Sequence, residues 1–174
     1  MKINELIVRN AQQDEFAVLG QLMVNVYSQL DGFPKPDEQP AYYQMLVNIG
    51  DQTKKPCTEL LVAVTDEGNI AGGVVYFSDM QYYGSGGTAT KEKNASGFRL
   101  LAVDNAFRGQ GIGKLLTLEC IKRANQNKSR CVVIHTTKAM QTAWKMYEKL
   151  GFVRNNDLDF MQGELTVFGF RMFL

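Results

Sequence analysis

Histidine, tryptophan, proline and cysteine are scarce in this chain, at one, one, four and three residues of 174. Cys57, Cys120 and Cys131 are odd in number and stand at no metal-ligand spacing. No metal site is therefore expected, and the three read as reduced thiols of a cytoplasmic protein. No cysteine has a histidine near it to make a nucleophile pair. Neither sign of charge dominates: 19 Lys and Arg against 18 Asp and Glu leave a net charge of +1, so nucleic acid is not expected as a partner. No apolar run reaches the roughly 18 residues of a membrane span. The opening stretch MKINELIVRNAQQDEF lacks the apolar region of a secretory leader. No repeat or low-complexity tract is apparent, and neither a membrane association nor secretion is expected.

What is present suits one globular domain over residues 1–174, with 45% hydrophobic and 21% charged residues. Charge is uneven along it. Arg108, Lys114, Lys122, Arg123, Lys128 and Arg130 are opposed between 108 and 130 only by Glu119. That basic segment suits an anionic ligand, and a solvated helix face would explain Lys122, Arg123 and Lys128 equally well.

Hydrophobic spacing gives the elements. Leu6–Val8 is a short strand. Phe16, Leu19, Leu22, Met23, Val26 and Tyr27 repeat at helical spacing to about Leu30. Three prolines between Pro34 and Pro40 make a stiff loop, followed by a helix from Ala41 to Ile49 and a loop from Gly50 to Thr58. Leu60–Val64 and Ile70–Phe77 flank a turn, Asp66-Glu67-Gly68-Asn69, and form a hairpin. Residues 82–97 are polar and glycine-rich, and read as a mobile loop or a lid. Gly97–Val103 is a strand, Lys114 to about Asn127 a helix, and Val132–Thr136 a strand parallel to the first across that helix. Met140, Ala143, Trp144, Tyr147 and Leu150 share one helix face that Gly151 ends. Phe152-Val153 and Leu165–Phe173 close the chain as an antiparallel pair around Gln162-Gly163. The fold class is α/β, with a mixed sheet of about seven strands flanked by about four helices.

One stretch carries more information than the rest. In Arg99–Lys114, RLLAVDNAFRGQGIGK, an apolar strand breaks at Asp104-Asn105, passes through Arg108-Gly109-Gln110-Gly111-Ile112-Gly113 and enters a helix at Lys114. Strand, glycine loop and helix place unpaired backbone N–H groups at a helix N-terminus, where an anion is stabilised. The spacing fits neither common nucleotide loop. Gly113-Lys114 is followed by Leu115, not Ser or Thr. After Gly109 and Gly111, the third glycine of a dinucleotide fingerprint is replaced by Lys114.

Arg108-x-x-Gly111-x-Gly113 resembles the Q/R-x-x-G-x-G/A signature of the GCN5-related N-acetyltransferase (GNAT) superfamily. Ala143-Trp-Lys-Met-Tyr147-Glu148-Lys-Leu-Gly151-Phe152 is similar to its A-x-x-L-Y-E-x-L-G-F segment. Element order extends the resemblance over nearly the whole chain. It implies acetyl-CoA as co-substrate, without a metal, and direct attack by a primary amine of a small molecule or peptide in a ternary complex; a homodimer is possible. A non-catalytic acyl-CoA-binding or sensing domain is the competing reading.

The resemblance also assigns residues. The pyrophosphate would sit on the N–H groups of Gln110, Gly111, Ile112, Gly113 and Lys114, with Arg108 and Gly109 also binding the cofactor. The pantetheine arm would pair with the backbone of Leu101 and Val103, in a slot opening between Leu101–Val103 and Val133–His135. A backbone N–H near Ala102 or Val103 would polarise the thioester carbonyl, and Ala143 would line the cofactor. Many members carry asparagine where this chain has Met140, so no polar contact is assigned there. Tyr147 would serve the departing thiolate. A thiol pKa of about 8.5 against about 10 for tyrosine makes a hydrogen bond easier than full proton transfer.

The base is the weak point. Freeing an amine of pKa about 10.4 at pH 7 costs about 4–5 kcal/mol, and residues 97–103 contain no acid. Asp79, Tyr76, Glu59, His135 or water are the candidates, and an aromatic amine would need none. Asp31, Phe33, Asp37 and Glu38 are expected near the acceptor's entrance, where the acids either attract a cation or merely solvate the loop.

Overall fold

The computed structural model describes residues 5–174. The elements are β1 Leu6–Asn10, α1 Phe16–Ser28, α2 Pro40–Val47, β2 Thr58–Thr65, β3 Ile70–Phe77, β4 Ala95–Val103, α3 Ile112–Gln126, β5 Cys131–Thr136, α4 Gln141–Leu150, β6 Val153–Arg154, β7 Phe160–Gln162 and β8 Leu165–Phe173. They build one mixed sheet in the order β1-β2-β3-β4-β5-β8-β6, with β7 paired to β8 off that path. Among the described residues only β4 and β5 run parallel, joined by the α3 crossover.

The sheet separates two cores because side chains alternate across a strand. On β2, Leu60, Val62 and Val64 face one core while Leu61 and Ala63 face the other. The first core packs beneath α1 and α2, around Leu19, Met23, Leu46 and Ile49. The second packs beneath α3 and α4, around Ile112, Leu116, Cys120, Tyr147, Phe152 and Phe170. Full burial of each large aliphatic side chain contributes about 1.5–3 kcal/mol. Pro40 opens α2 in the first turn, where its missing N–H is not needed. Gly151, at φ 107°, ends α4 and donates to the carbonyls of Tyr147 and Glu148.

Three expectations change. Residues 49–54, expected as loop beyond Ile49, form a short 3-10 turn. Residues 82–94 are not a loose polar loop. Tyr83 and Ala89 are wholly buried, and the Thr88 hydroxyl donates to the Asp157 carbonyl at 2.8 Å. Polarity in the sequence hid these two anchors. The expected sheet of about seven strands is present, and among the described residues Phe160–Gln162 adds a further short strand, β7, off its path. The hairpin around Gly163 therefore joins β7 to β8, while β6 pairs with β8 further along, Val153 opposite Arg171.

Candidate active site

The site begins where two parallel strands part. β4 and β5 are paired only from Ala95↔Cys131 to Gly97↔Val133. Beyond that point β4 is bulged: Arg99 lies opposite Val75 and Ala102 opposite Gly73, so Leu100 and Leu101 together face Val74. Leu100 takes a positive φ of 62° in doing so, a conformation that a bulky residue adopts only when its surroundings impose it. The gap opens into a cavity of about 500 Å³ that reaches from the α3 N-terminus to the face of α1.

The α3 end of the cavity is built for an anion. Gly109 and Gly111 both have φ 78°, and a Cβ on either would meet nothing within 4 Å. Glycine is favoured there by backbone conformation, and the space in front of it is open. Gly111 caps α3 without any side-chain hydrogen bond, and no acid stands in the first turn. The first helical bond is donated by Leu115 to the Gly111 carbonyl. The N–H groups of Ile112, Gly113 and Lys114 thus precede the ladder and carry the positive end of the helix dipole. Arg108 and Lys114 add two exposed cations beside them. These features fit a diphosphate.

The strand supplies the middle of the cavity. The Asp104 N–H donates to Ala71 at 2.9 Å and Ala102 stands opposite Gly73, so both face β3 in the antiparallel alternation. Leu101 and Val103 turn their backbone groups to the open side. Of the two N–H groups expected to polarise a carbonyl, that of Val103 faces the slot and that of Ala102 faces the neighbouring strand. The Leu101 carbonyl accepts a 2.8 Å hydrogen bond from the Tyr27 hydroxyl.

Tyr147 enters from the opposite face. Its ring is held in the second core against Phe98 and Phe152, with centroids at 5.9 and 5.7 Å. Its hydroxyl reaches the cavity and has no hydrogen-bond partner among the described residues. Burial pushes the phenol above its ordinary pKa, so it stays protonated as a donor. Ala143 and Met140 line the same wall.

Of the expected site residues, Leu101, Ala102, Val103, Arg108, Gly109, Gly111, Ile112, Gly113, Lys114, Ala143 and Tyr147 all border this one cavity; Gln110 is exposed and does not. The candidate bases do not converge there. The Asp79 carboxylate accepts from the Gln81 amide, and Asp79 borders a separate polar cleft. Glu59 is paired with Arg123 at 3.0 Å. The Tyr76 hydroxyl is bonded to Ser96 at 3.0 Å in the second core. His135 does border the cavity, but both its nitrogens are engaged. Nε2 lies 2.8 Å from the Leu158 carbonyl and must donate to it, so Nδ1 accepts from the Tyr83 hydroxyl at 2.9 Å. Burial pushes its pKa down to about 4. Asp31, Asp37 and Glu38 are exposed and outside the cavity wall, and Phe33 is buried against Tyr27 and Tyr42. No aspartate or glutamate lines the cavity.

Two residues of the site had not been singled out. Tyr27 reads in sequence as one more apolar position of α1. Arg99 carried a signal: a charge between Phe98 and Leu100, in a strand otherwise buried, is out of place in a core.

Residues 22–152 match the Acetyltransferase (GNAT) family. The chain is 41% identical over 64 residues to N-acetylaspartate synthetase of Danio rerio, covering 37% of this chain and 23% of that protein. It is 34% identical over 99 residues to N-acetylaspartate synthetase of Homo sapiens, covering 57% and 29%. The matched part thus spans less than a third of these relatives' length. Among solved structures, a GNAT-family acetyltransferase of Staphylococcus aureus Mu50 superposes with a TM-score of 0.73 at 17% identity, covering 98% of this chain and 99% of that one. A candidate acetyltransferase of Salmonella typhimurium, solved with its cofactor acetyl-CoA, superposes at 0.63 and 15% identity, covering 98% and 94%. At these identities the likeness shows the fold.

Proposed function

Because the chain belongs to the Acetyltransferase (GNAT) family, we propose that it transfers the acetyl group of acetyl-CoA to a primary amine of a small molecule or peptide, by direct attack in a ternary complex. Residues 1–174 act in this reading as one N-acetyltransferase domain, with its free thiols in a cytoplasmic setting. The supporting observation is a juxtaposition. Three unpartnered amides at the α3 N-terminus and the free Tyr147 hydroxyl open onto one cavity, with the unpaired edge of β4 between them.

Acetyl-CoA brings an acyl group activated as a thioester. The residues then divide the work. Ile112, Gly113 and Lys114 hold the diphosphate by backbone N–H, with Arg108 beside them. Leu101 and Val103 align the pantetheine amides as an added strand would. The Val103 N–H is placed to donate to the thioester oxygen as charge develops there. The amine nitrogen bonds to the acetyl carbon as the carbon–sulfur bond breaks. The nitrogen gives up one proton and the sulfur leaves as the thiol. Burial makes Tyr147 a weaker acid than an exposed tyrosine, so its role is a hydrogen bond to the sulfur rather than complete proton delivery. The relatives named N-acetylaspartate synthetase support transfer to an amine; the choice of acceptor belongs to this chain's own wall.

Thiol release from acetyl-CoA across a panel of amines tests the proposal. Acceptor-dependent release, with the acetylated amine recovered, is expected. Tight acetyl-CoA binding without release for any amine would replace the enzyme by a sensing domain.

A further inference from the structure

Acetyl transfer as described leaves Arg99 without a task. Arg99 stands opposite Val75, ahead of the bulge, and so points to the α1–α2 side, while Phe98 packs on the Tyr147 side. Arg99 borders the cavity, and its guanidinium lies 5.5 Å from the Tyr83 ring centre and donates to the Tyr83 carbonyl at 2.9 Å. Among the described residues, no carboxylate forms a salt bridge with it. A second cation stands nearby. A methyl group built on Gly84 would lie 3.2 Å from Arg99 Nη1 and 3.3 Å from Lys55 Nζ. Lys55 is half-buried, its ammonium 3.5 Å from the Tyr82 carbonyl, and it too has no carboxylate partner in that set. Burial and the Arg99 charge hold its pKa below the usual lysine range. Two converging, partly desolvated cations without a counter-ion are costly. A bound anion removes that cost, and the cavity wall holds no acid that could serve as one.

We propose that Arg99, backed by Lys55, binds a carboxylate of the acceptor, so that the acceptor is an amino acid or a similarly carboxylated small amine and not a polyamine. The inference rests on the acetyl-transfer reading above. The planar fork of Arg99 keeps donors free for a carboxylate after the Tyr83 carbonyl has taken one. The arrangement also bears on the missing base. With its carboxylate on Arg99, the acceptor's amine lies in a wall that is cationic and aromatic and contains no acid. Desolvation and like charge both favour the neutral amine, which is the reactive form. The proton shed before attack goes to water, and the second leaves on the sulfur.

The test compares the twenty amino acids with their carboxamides, alongside spermidine and phosphoethanolamine, by thiol release from acetyl-CoA. The best amino acid is expected to exceed its own amide by at least about tenfold in kcat/KM. Arg99→Gln should erase that preference through the acceptor's KM, Arg99→Lys should restore part of it, and Lys55→Gln should weaken it less. General damage to the fold lowers acid and amide alike and leaves their ratio unmoved. Equal rates for acid and amide, a preference for spermidine or phosphoethanolamine, or an unchanged ratio in Arg99→Gln would overturn the assignment. Calorimetric titration of the coenzyme A-loaded protein with the same acid–amide pairs separates the two claims. If no amine releases thiol, the transfer reading fails, and acid-selective binding lost in Arg99→Gln still upholds the carboxylate site; binding without acid selectivity removes it.

Discussion

The hydroxyl of Tyr27, on α1, donates to the carbonyl of Leu101, on the open side of β4, at 2.8 Å. The bond ties the first helix to the strand segment that no longer pairs with β5, and it fixes the direction of a carbonyl that faces the slot. Tyr27→Phe should cost about 1 kcal/mol of stability in urea unfolding. It should also raise the KM for acetyl-CoA severalfold, because the Leu101 carbonyl is freed to tilt. A stability loss with KM unchanged would confine Tyr27 to bracing the fold.

Tyr147→Phe removes a hydroxyl that has no protein partner to lose. Stability should stay within about 0.5 kcal/mol of the parent. The kcat should fall about 10- to 100-fold, as expected for one donor acting on developing charge, with the KM for acetyl-CoA within about twofold. Undiminished turnover would return Tyr147 to the second core as a packed aromatic beside Phe98.

Gly111→Glu places a side chain at φ 78° and a carboxylate in front of three N–H groups. The left-handed conformation should cost about 1–2 kcal/mol. Acetyl-CoA affinity should fall by well over tenfold through repulsion of its phosphates, as read by calorimetry. Gly111→Asn, which tolerates that conformation and adds no charge, should keep more of the affinity. Equal affinity in all three proteins would remove the diphosphate from this loop.

Most of the fold could be read in the sequence because its signals are local. The turn Asp66–Asn69, the αL cap at Gly151, the helix face from Met140 to Leu150 and the parallel pair across α3 follow from spacing and turn chemistry. The glycine loop Arg108–Gly113 was legible for the same reason, being six consecutive residues. What could not be read depends on distant partners. The β7 strand exists through pairing with β8, and the 82–94 segment is held by Tyr83 stacking near Phe77 and His135. The candidate bases failed similarly: Glu59 meets Arg123 and His135 meets Leu158, contacts 64 and 23 residues apart in sequence. The bulge at Leu100 leaves no mark in LLAV, which reads as an ordinary buried strand.

His135 gives a pH dependence of stability with a definite sign. Its pKa falls from 6.5 to about 4 in the fold, through burial first and the Arg99 charge in addition, opposed by the Leu158 carbonyl and Asp159. The folded state thus binds fewer protons than the unfolded chain between those values. Stability is fully present above about pH 6.5 and is lost as pH falls toward 4, by up to about 3 kcal/mol. Urea midpoints at pH 7 and pH 4.5 should differ accordingly in the parent, and much less in His135→Gln. The same variant should leave the pH dependence of kcat/KM between pH 6 and 9 unchanged in shape, since the imidazole is already neutral there. A shifted ascending limb would make His135 the base after all.

A crystal structure with acetyl-CoA tests the central claim most directly. The account predicts diphosphate oxygens within hydrogen-bonding distance of the Ile112, Gly113 and Lys114 amides, the pantetheine arm alongside Leu101 and Val103, and the sulfur beside the Tyr147 hydroxyl. A saturated crystal with those amides unoccupied and the carrier bound elsewhere would contradict it.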